Sequence, residues 1–229
     1  MFDESVYYRN IRRKLFPSIR NRFFFYMPCP AEGVLHADFE IDYAYIRENL
    51  HGVARQYVYP KLRMAERAPL AESTLVIHIR GGDVFVNDAR VSPDYVQNPL
   101  SYFEKLIEQY ERTLLVVEPG VPNPVVAILA ARKDVAVQSG SVEQDFATLM
   151  SARNLASSGV GTFCVAAALC SPNLRNFHCS DRYSRGHLNP EFLDPNRVEV
   201  HCTRLDGYIE IGQWNSNPQT IDRMLTHRL

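Results

Sequence analysis

The chain has 229 residues, 46% hydrophobic and 22% charged, the composition of a folded, water-soluble protein with room for one large or two small domains. Lys plus Arg (25) nearly cancels Asp plus Glu (26), so the global positive field of a nucleic-acid binder is absent. No run of about 18 apolar residues and no charged-then-apolar N-terminal pattern occurs, so neither a membrane span nor secretion is expected. Five cysteines (Cys29, Cys164, Cys170, Cys179, Cys202), with no CxxC pair, read as reduced thiols of a soluble, cytoplasmic protein rather than a zinc site.

In chain order, residues 1–70 mix basic, aromatic and proline-containing stretches. The basic residues from Arg9 to Arg22 form a solvated surface or arm, or else a contact for an anionic glycan or membrane surface. A long helix is expected at about Tyr43 to Ala65. From residue 74 short apolar runs alternate with helical periods. "TLVIHIR" is a strand; Asn98 and Pro99 offer an N-cap and a first-turn proline for a helix presenting Leu100, Phe103, Leu106, Ile107 and Tyr110 on one face. "TLLVVE" is the next strand, and Asn123 with Pro124 repeats the cap before "VVAILAAR". "VAVQ" follows, then a capping box of Ser141 and Gln144. "NLASS" is a fourth strand, "GVGTFCVAAAL" a glycine-led helix and "LRNFHC" a fifth strand.

Strand starts near residues 75, 114, 136, 155 and 175 demand right-handed crossovers and a parallel sheet. The expected fold class is α/β, a doubly wound, Rossmann-like domain over 71–229, preceded by the distinct region 1–70. Residues 181–197 read as a polar loop, "VEVHCT" as an edge strand, and Asn217 with Pro218 as the cap of a last helix.

Ligands of open parallel sheets bind beyond the carboxyl ends of the strands, where strand order reverses. Two loops are expected to meet there, "HIRGGD" and "SSGVGT". Gly159 and Gly161 permit close backbone approach, while Ser158, Thr162 and the free N–H groups of the following helix present donors to an anion. Arg80 opposite adds a fixed charge and a planar fork for phosphate oxygens. Neither loop is a Walker or GxGxxG loop, and no DxD triplet stands on a strand; Glu40 and Asp42 only imitate one. A pyrophosphate held without a metal fits this set. Each residue also has a structural role open to it: Arg80 as an ion-pair partner, Gly81 and Gly82 as turn formers, His78 as a hydrogen-bonded core histidine.

At His78, Arg80, Gly82 and Asp83 the sequence resembles the fucosyltransferase superfamily of GT-B glycosyltransferases, whose first motif reads HxRRxD or HxRxGD at a strand end. A later family stretch is matched by "QDFATLMSARNLASSGVGTF", which supplies Asp145, Ala152, Ser157, Ser158, Thr162 and Phe163 in order. The likeness covers about 74–180, with a weaker echo at 43–65. It implies a GT-B-like nucleotide-sugar domain with a small or reduced N-terminal acceptor region. Arg80 would hold the β-phosphate, and Ser158, Gly161 and Thr162 would hold phosphate and nucleotide. Asp145 and the Gln138–Ser141 loop, with Ser139, would lie near base and ribose.

Gly81 stands where the HxRR form has a second arginine, and residues 1–70 lack a glycine-rich opening unit. The acceptor half is therefore reduced, or the chain is a piece of a longer protein. The implied activity is inverting, metal-independent transfer from GDP-fucose to a glycan or glycoprotein acceptor, with Asp83 as base, or else as a loop-fixing residue, and His78 orienting it or touching the donor. UDP-xylose as donor, or a non-catalytic nucleotide-sugar or glycan-binding module, are the alternatives.

Overall fold

A parallel sheet runs through the protein in the order β3-β2-β1-β4-β5-β6. Its strands are β1 (Thr74–Ile79), β2 (Arg112–Val117), β3 (Val135–Gln138), β4 (Asn154–Ser157), β5 (Asn176–Ser180) and β6 (Glu199–Thr203). The structure is a computed structural model describing residues 43–61, 68–85, 94–120, 123–184 and 188–229, with the side chains of 43–47, 61 and 83 excepted. The basic stretch from Arg9 to Arg22, Cys29, the Glu40/Asp42 pair and residues 62–65 of the expected long helix lie outside those residues.

Each strand start expected from the sequence falls within two residues of the observed one, and β6 pairs beside β5. Strand β1 is central, pairing β2 through Thr74↔Arg112 to Ile79↔Val117 and β4 through Leu75↔Asn154 to His78↔Ser157. The order is that of a doubly wound, Rossmann-like domain, with reversal between β1 and β4.

Helices cover both faces. On one, Val76, Val116, Leu155 and Phe177 pack against α4 (Val142–Ser151), α5 (Thr162–Cys170) and α1 (Tyr43–Val53), which supplies Leu50. On the other, Leu75, Ile77, Ile79 and Leu115 meet α2 (Leu100–Ile107), α3 (Pro124–Ala130) and α6 (Pro218–Thr226). Strand alternation thus fills two cores from one sheet. Leu75, Val76, Ile77 and Ile79 are wholly buried, each such side chain contributing about 1.5–3 kcal/mol. After α1 the chain continues as a π-helical turn, Ala54–Val58, and a 3₁₀ turn, Tyr59–Lys61, so the long helix expected there is irregular after its first eleven residues.

The cap expectations divide. Asn123 Oδ1 accepts from Val125 N at 3.1 Å, Asn217 Oδ1 from Thr220 N at 2.8 Å, and Ser141 with Gln144 closes a complete capping box. Asn98 does not cap α2; the N-cap is Pro99, with no side-chain bond. Tertiary partners win instead: Asn98 Nδ2 donates to the Ser157 carbonyl at 3.2 Å, and its Oδ1 accepts from Ser180 Oγ at 2.6 Å. Buried Asn98 thereby ties the entry of α2 to the ends of β4 and β5.

A smaller third cluster lies beyond the strand ends. Val84, Tyr95, Val96, Val160, Leu205, Tyr208 and Ile209 are buried together, with Phe85 and Trp214 against them. Trp214 stands edge-on to both Phe85 and Tyr95, at 5.7 and 5.6 Å between ring centroids, and donates from Nε1 to the Val84 carbonyl at 3.0 Å. Residues 205–214 therefore brace the loop that follows β1. Among the described residues no helix is long and apolar enough to cross a membrane.

Candidate functional site

The two glycine loops do meet where strand order reverses. Arg80 N donates to Ser158 Oγ at 3.1 Å, linking the residue after β1 to the residue after β4. Asn123 Nδ2 donates to the Arg80 carbonyl at 2.9 Å while the same side chain caps α3. Both backbone groups of Arg80 are thus held from neighbouring loops. Its guanidinium carbon lies 5.2 Å from the Tyr95 ring centroid, a cation–π contact that limits where the fork can swing.

Beyond Arg80, Gly81 N donates to Glu118 Oε2 at 3.2 Å. Gly82 has φ +61, and a Cβ there would lie over the Glu118 carboxylate. Glu118 follows β2 directly and shapes the turn that leads into the 3₁₀ segment Gly82–Phe85, which contains Asp83. Asp83 is placed here by its backbone alone.

On the opposite side, Gly159 and Gly161 do different things. Gly159 (φ +137) pairs with Gln97, and Val160 N donates to the Val96 carbonyl at 3.1 Å. A Cβ on Gly159 would fall 2.0 Å from the Val96 carbonyl oxygen, so its missing side chain admits the protein's own backbone. Gly161 is the N-cap of α5 in an extended conformation, with open space where a Cβ would stand. Thr162 is exposed in the first turn of α5, whose initial N–H groups lack intrahelical acceptors. Phe163 turns inward, 5.2 Å from both the His78 and the Phe146 rings.

Gln138, Ser139, Ser141 and Asp145 gather at the end of β3, with β2 between them and β1. Gln138 Nε2 donates to Asp145 Oδ1 at 2.7 Å and to Thr148 Oγ1 at 2.9 Å. Both Asp145 oxygens accept from Gly140 N, at 3.1 and 3.2 Å. Buried Asp145 thus fastens the β3–α4 turn. Its charge still reaches the first loop, opposing the fall in the His78 pKa.

His78 lies in β1 beneath that loop. Burial, and secondarily the Arg80 charge, depresses its pKa from 6.5 to about 4, so the imidazole is neutral at pH 7. His178 in β5 behaves alike: burial and the stacked His201 lower it from 6.5 to about 4, and its Nε2 shares a 2.7 Å hydrogen bond with the Tyr110 hydroxyl. Between pH 6.5 and 4 the unfolded chain binds protons at these sites that the folded chain does not. The stability they contribute is therefore fully present above pH 6.5 and is lost as pH falls towards 4. For 5%-exposed His178 the loss at pH 4.5 is roughly 2–3 kcal/mol. Urea unfolding at pH 7.5 and 4.5 checks this: His178→Gln should shrink the difference between the two stabilities by that amount. An unchanged difference refutes it.

Several participants escaped sequence reasoning. Tyr95, Gln97, Asn98, Glu118 and Asn123 all touch the two loops; Tyr95 Oη donates to Gln97 Oε1 at 2.6 Å, and Tyr208 Oη to the Gln97 carbonyl at 2.9 Å. Glu118 had a visible signal, since it ends a strand beside the expected crevice. Residues 94–97 had none, being an irregular segment. A small pocket behind the α5 N-terminus is lined by Gly159, Gly161, Ser180, Tyr183, Leu188 and Asn189. Among the described residues no three His, Cys, Asp or Glu side chains converge to hold a metal ion.

Comparison of the chain with protein-family models, with curated proteins and with solved structures found no match.

Proposed function

We propose that the protein is an inverting, metal-independent glycosyltransferase of GT-B type that moves a sugar from a nucleoside-diphosphate sugar, GDP-fucose in preference, to a glycan hydroxyl. The observation that supports this is the junction at the reversal point: an arginine loop and a donor-rich helix start stand on either side, joined by the 3.1 Å bond from Arg80 N to Ser158 Oγ. Opposed positive groups of this kind suit a departing diphosphate, because charge grows on its oxygens as the glycosidic bond breaks. Arg80 supplies the fixed charge, and Ser158, Gly161 and Thr162 border the helix-start donors. In this scheme Asp83, three residues beyond Arg80, takes the proton of the acceptor hydroxyl. Residues 71–229 carry the donor side, and residues 1–70 the acceptor side.

Calorimetric titration tests the phosphate role directly. Arg80→Ala should weaken GDP binding by about 1.5–3 kcal/mol, the range for a hydrogen bond to a charged group. Guanosine binding should be nearly unchanged, since the lost contact is to phosphate. Equal loss for nucleoside and diphosphate makes Arg80 structural. Binding of UDP without GDP replaces the fucosyl donor by one such as UDP-xylose, and tight GDP binding without transfer to any acceptor leaves a nucleotide-binding module.

A further inference from the structure

Cys179 and Cys202 are direct register partners on the parallel strands β5 and β6, so their side chains leave the same face of the sheet edge. Neighbouring strands lie about 4.7–4.9 Å apart, inside the roughly 4.4–6.8 Å Cα separation that a disulfide spans. Both thiols are free, Cys179 buried and Cys202 exposed. Both line an open pocket of about 210 Å³ together with Tyr183, Glu191, Leu193 and Val200. Cys164 and Cys170, by contrast, are buried in the core on α5 and have no cysteine as register partner.

We infer that Cys179 and Cys202 form a redox modification site, a dithiol that a low-molecular-weight disulfide such as oxidised glutathione converts reversibly to an intrachain disulfide. Exposed Cys202 is the attacking sulfur. The register neighbour Cys179 lowers the Cys202 pKa from its ordinary value, while Cys202 and burial push the Cys179 thiol up, so Cys202 loses its proton the more readily. The Cys202 thiolate attacks one sulfur of the reagent, forming a mixed disulfide and expelling a thiolate that takes up the Cys202 proton. Cys179 then attacks the Cys202 sulfur, its proton leaving with the second small thiol. One dithiol is oxidised by two electrons and one disulfide is reduced to two thiols. The product staples strand β6, which among the described residues pairs on one side only, to β5. Cys179 also lines the pocket behind the α5 N-terminus, and Ser180 beside it holds Asn98, so the staple adjoins the candidate site without depending on what that site binds.

The test equilibrates the full chain with glutathione buffers of increasing oxidised fraction, then maps it after trypsin without reduction. The tryptic peptides 176–182 and 198–204 should appear as one cross-linked species that dithiothreitol separates. Cys179→Ser should stop at a glutathione mixed disulfide on Cys202, and Cys202→Ser should slow modification of Cys179 at least about tenfold. If the wild-type peptides stay separate in fully oxidised buffer while circular dichroism shows a folded chain, the inference is overturned. It is equally overturned if Cys179 or Cys202 pairs with Cys29 instead. Should Cys179→Ser fail to fold, the wild-type map and the Cys202→Ser rate still decide.

Discussion

Gly159→Ala is expected to lower stability by about 3–6 kcal/mol, from an unfavourable positive φ, a lost backbone hydrogen bond and a forced separation of two packed segments. Its φ of +137 is one that side-chain-bearing residues rarely adopt, and the new Cβ would stand 2.0 Å from the Val96 carbonyl oxygen and 3.2 Å from the Gln97 Cα. Neither neighbour is a flexible side-chain end that can swing away. Relief requires breaking the Gln97↔Gly159 bridge and the Val160–Val96 hydrogen bond, and these anchor the segment that carries Tyr95 beneath Arg80. Gly161→Ala, two residues on, meets open space and an extended backbone, and should fold normally. Urea unfolding of both variants beside wild type measures the contrast. A Gly159→Ala protein within about 0.5 kcal/mol of wild type, the range of an ordinary surface change, would show that the close approach is not there.

That contrast marks how far the residues alone could be read. Apolar runs at regular spacing announce a parallel sheet because βαβ crossovers need both a strand pattern and a helix period, and each of the four connections from β1 to β5 carried that helix period between two strand runs. The meeting of the loops after β1 and β4 followed from strand order. Local pattern says nothing about which partner a polar side chain finds. Asn98-Pro99 and Asn123-Pro124 are the same dipeptide, yet Asn123 caps its helix while Asn98 turns to Ser157 and Ser180, groups far along the chain. Gly159 and Gly161 look interchangeable in the sequence, and only the return of Val96 distinguishes them. The third cluster was invisible for a related reason: Tyr95, Tyr208 and Trp214 sit in polar segments with neither period, and their burial arises from contacts between loops. Gln138 and Asp145 were expected beside a base and ribose; they bond to each other and to Gly140 and Thr148, so a nucleotide there would have to share groups that already hold the β3–α4 turn.

On the proposed glycosyl transfer with Asp83 as base, Asp83→Asn is expected to reduce sugar transfer by about 100- to 10,000-fold, the usual contribution of a positioned general base. The substitution keeps size and most hydrogen-bonding capacity but removes the ability to take the acceptor proton. Asp83 sits on the short turn Gly82–Phe85, whose entry is fixed on both sides: Gly81 N is held by Glu118, and the Val84 carbonyl by Trp214 Nε1. A turn anchored at its flanks tolerates an isosteric change at its centre, so the fold should survive and lost transfer should report chemistry. Donor affinity should change little, because a carboxylate near a pyrophosphate offers it no attraction. Transfer kinetics with an acceptor, together with calorimetric titration of GDP, separates the outcomes. Retention of more than about a tenth of wild-type transfer is too much for a missing general base. Loss of GDP binding, or of the folded state, would instead assign Asp83 to holding the loop, and the proton would have to leave through another group bordering the same crevice; Glu118, the exposed carboxylate already bonded to Gly81 N, is the next to test.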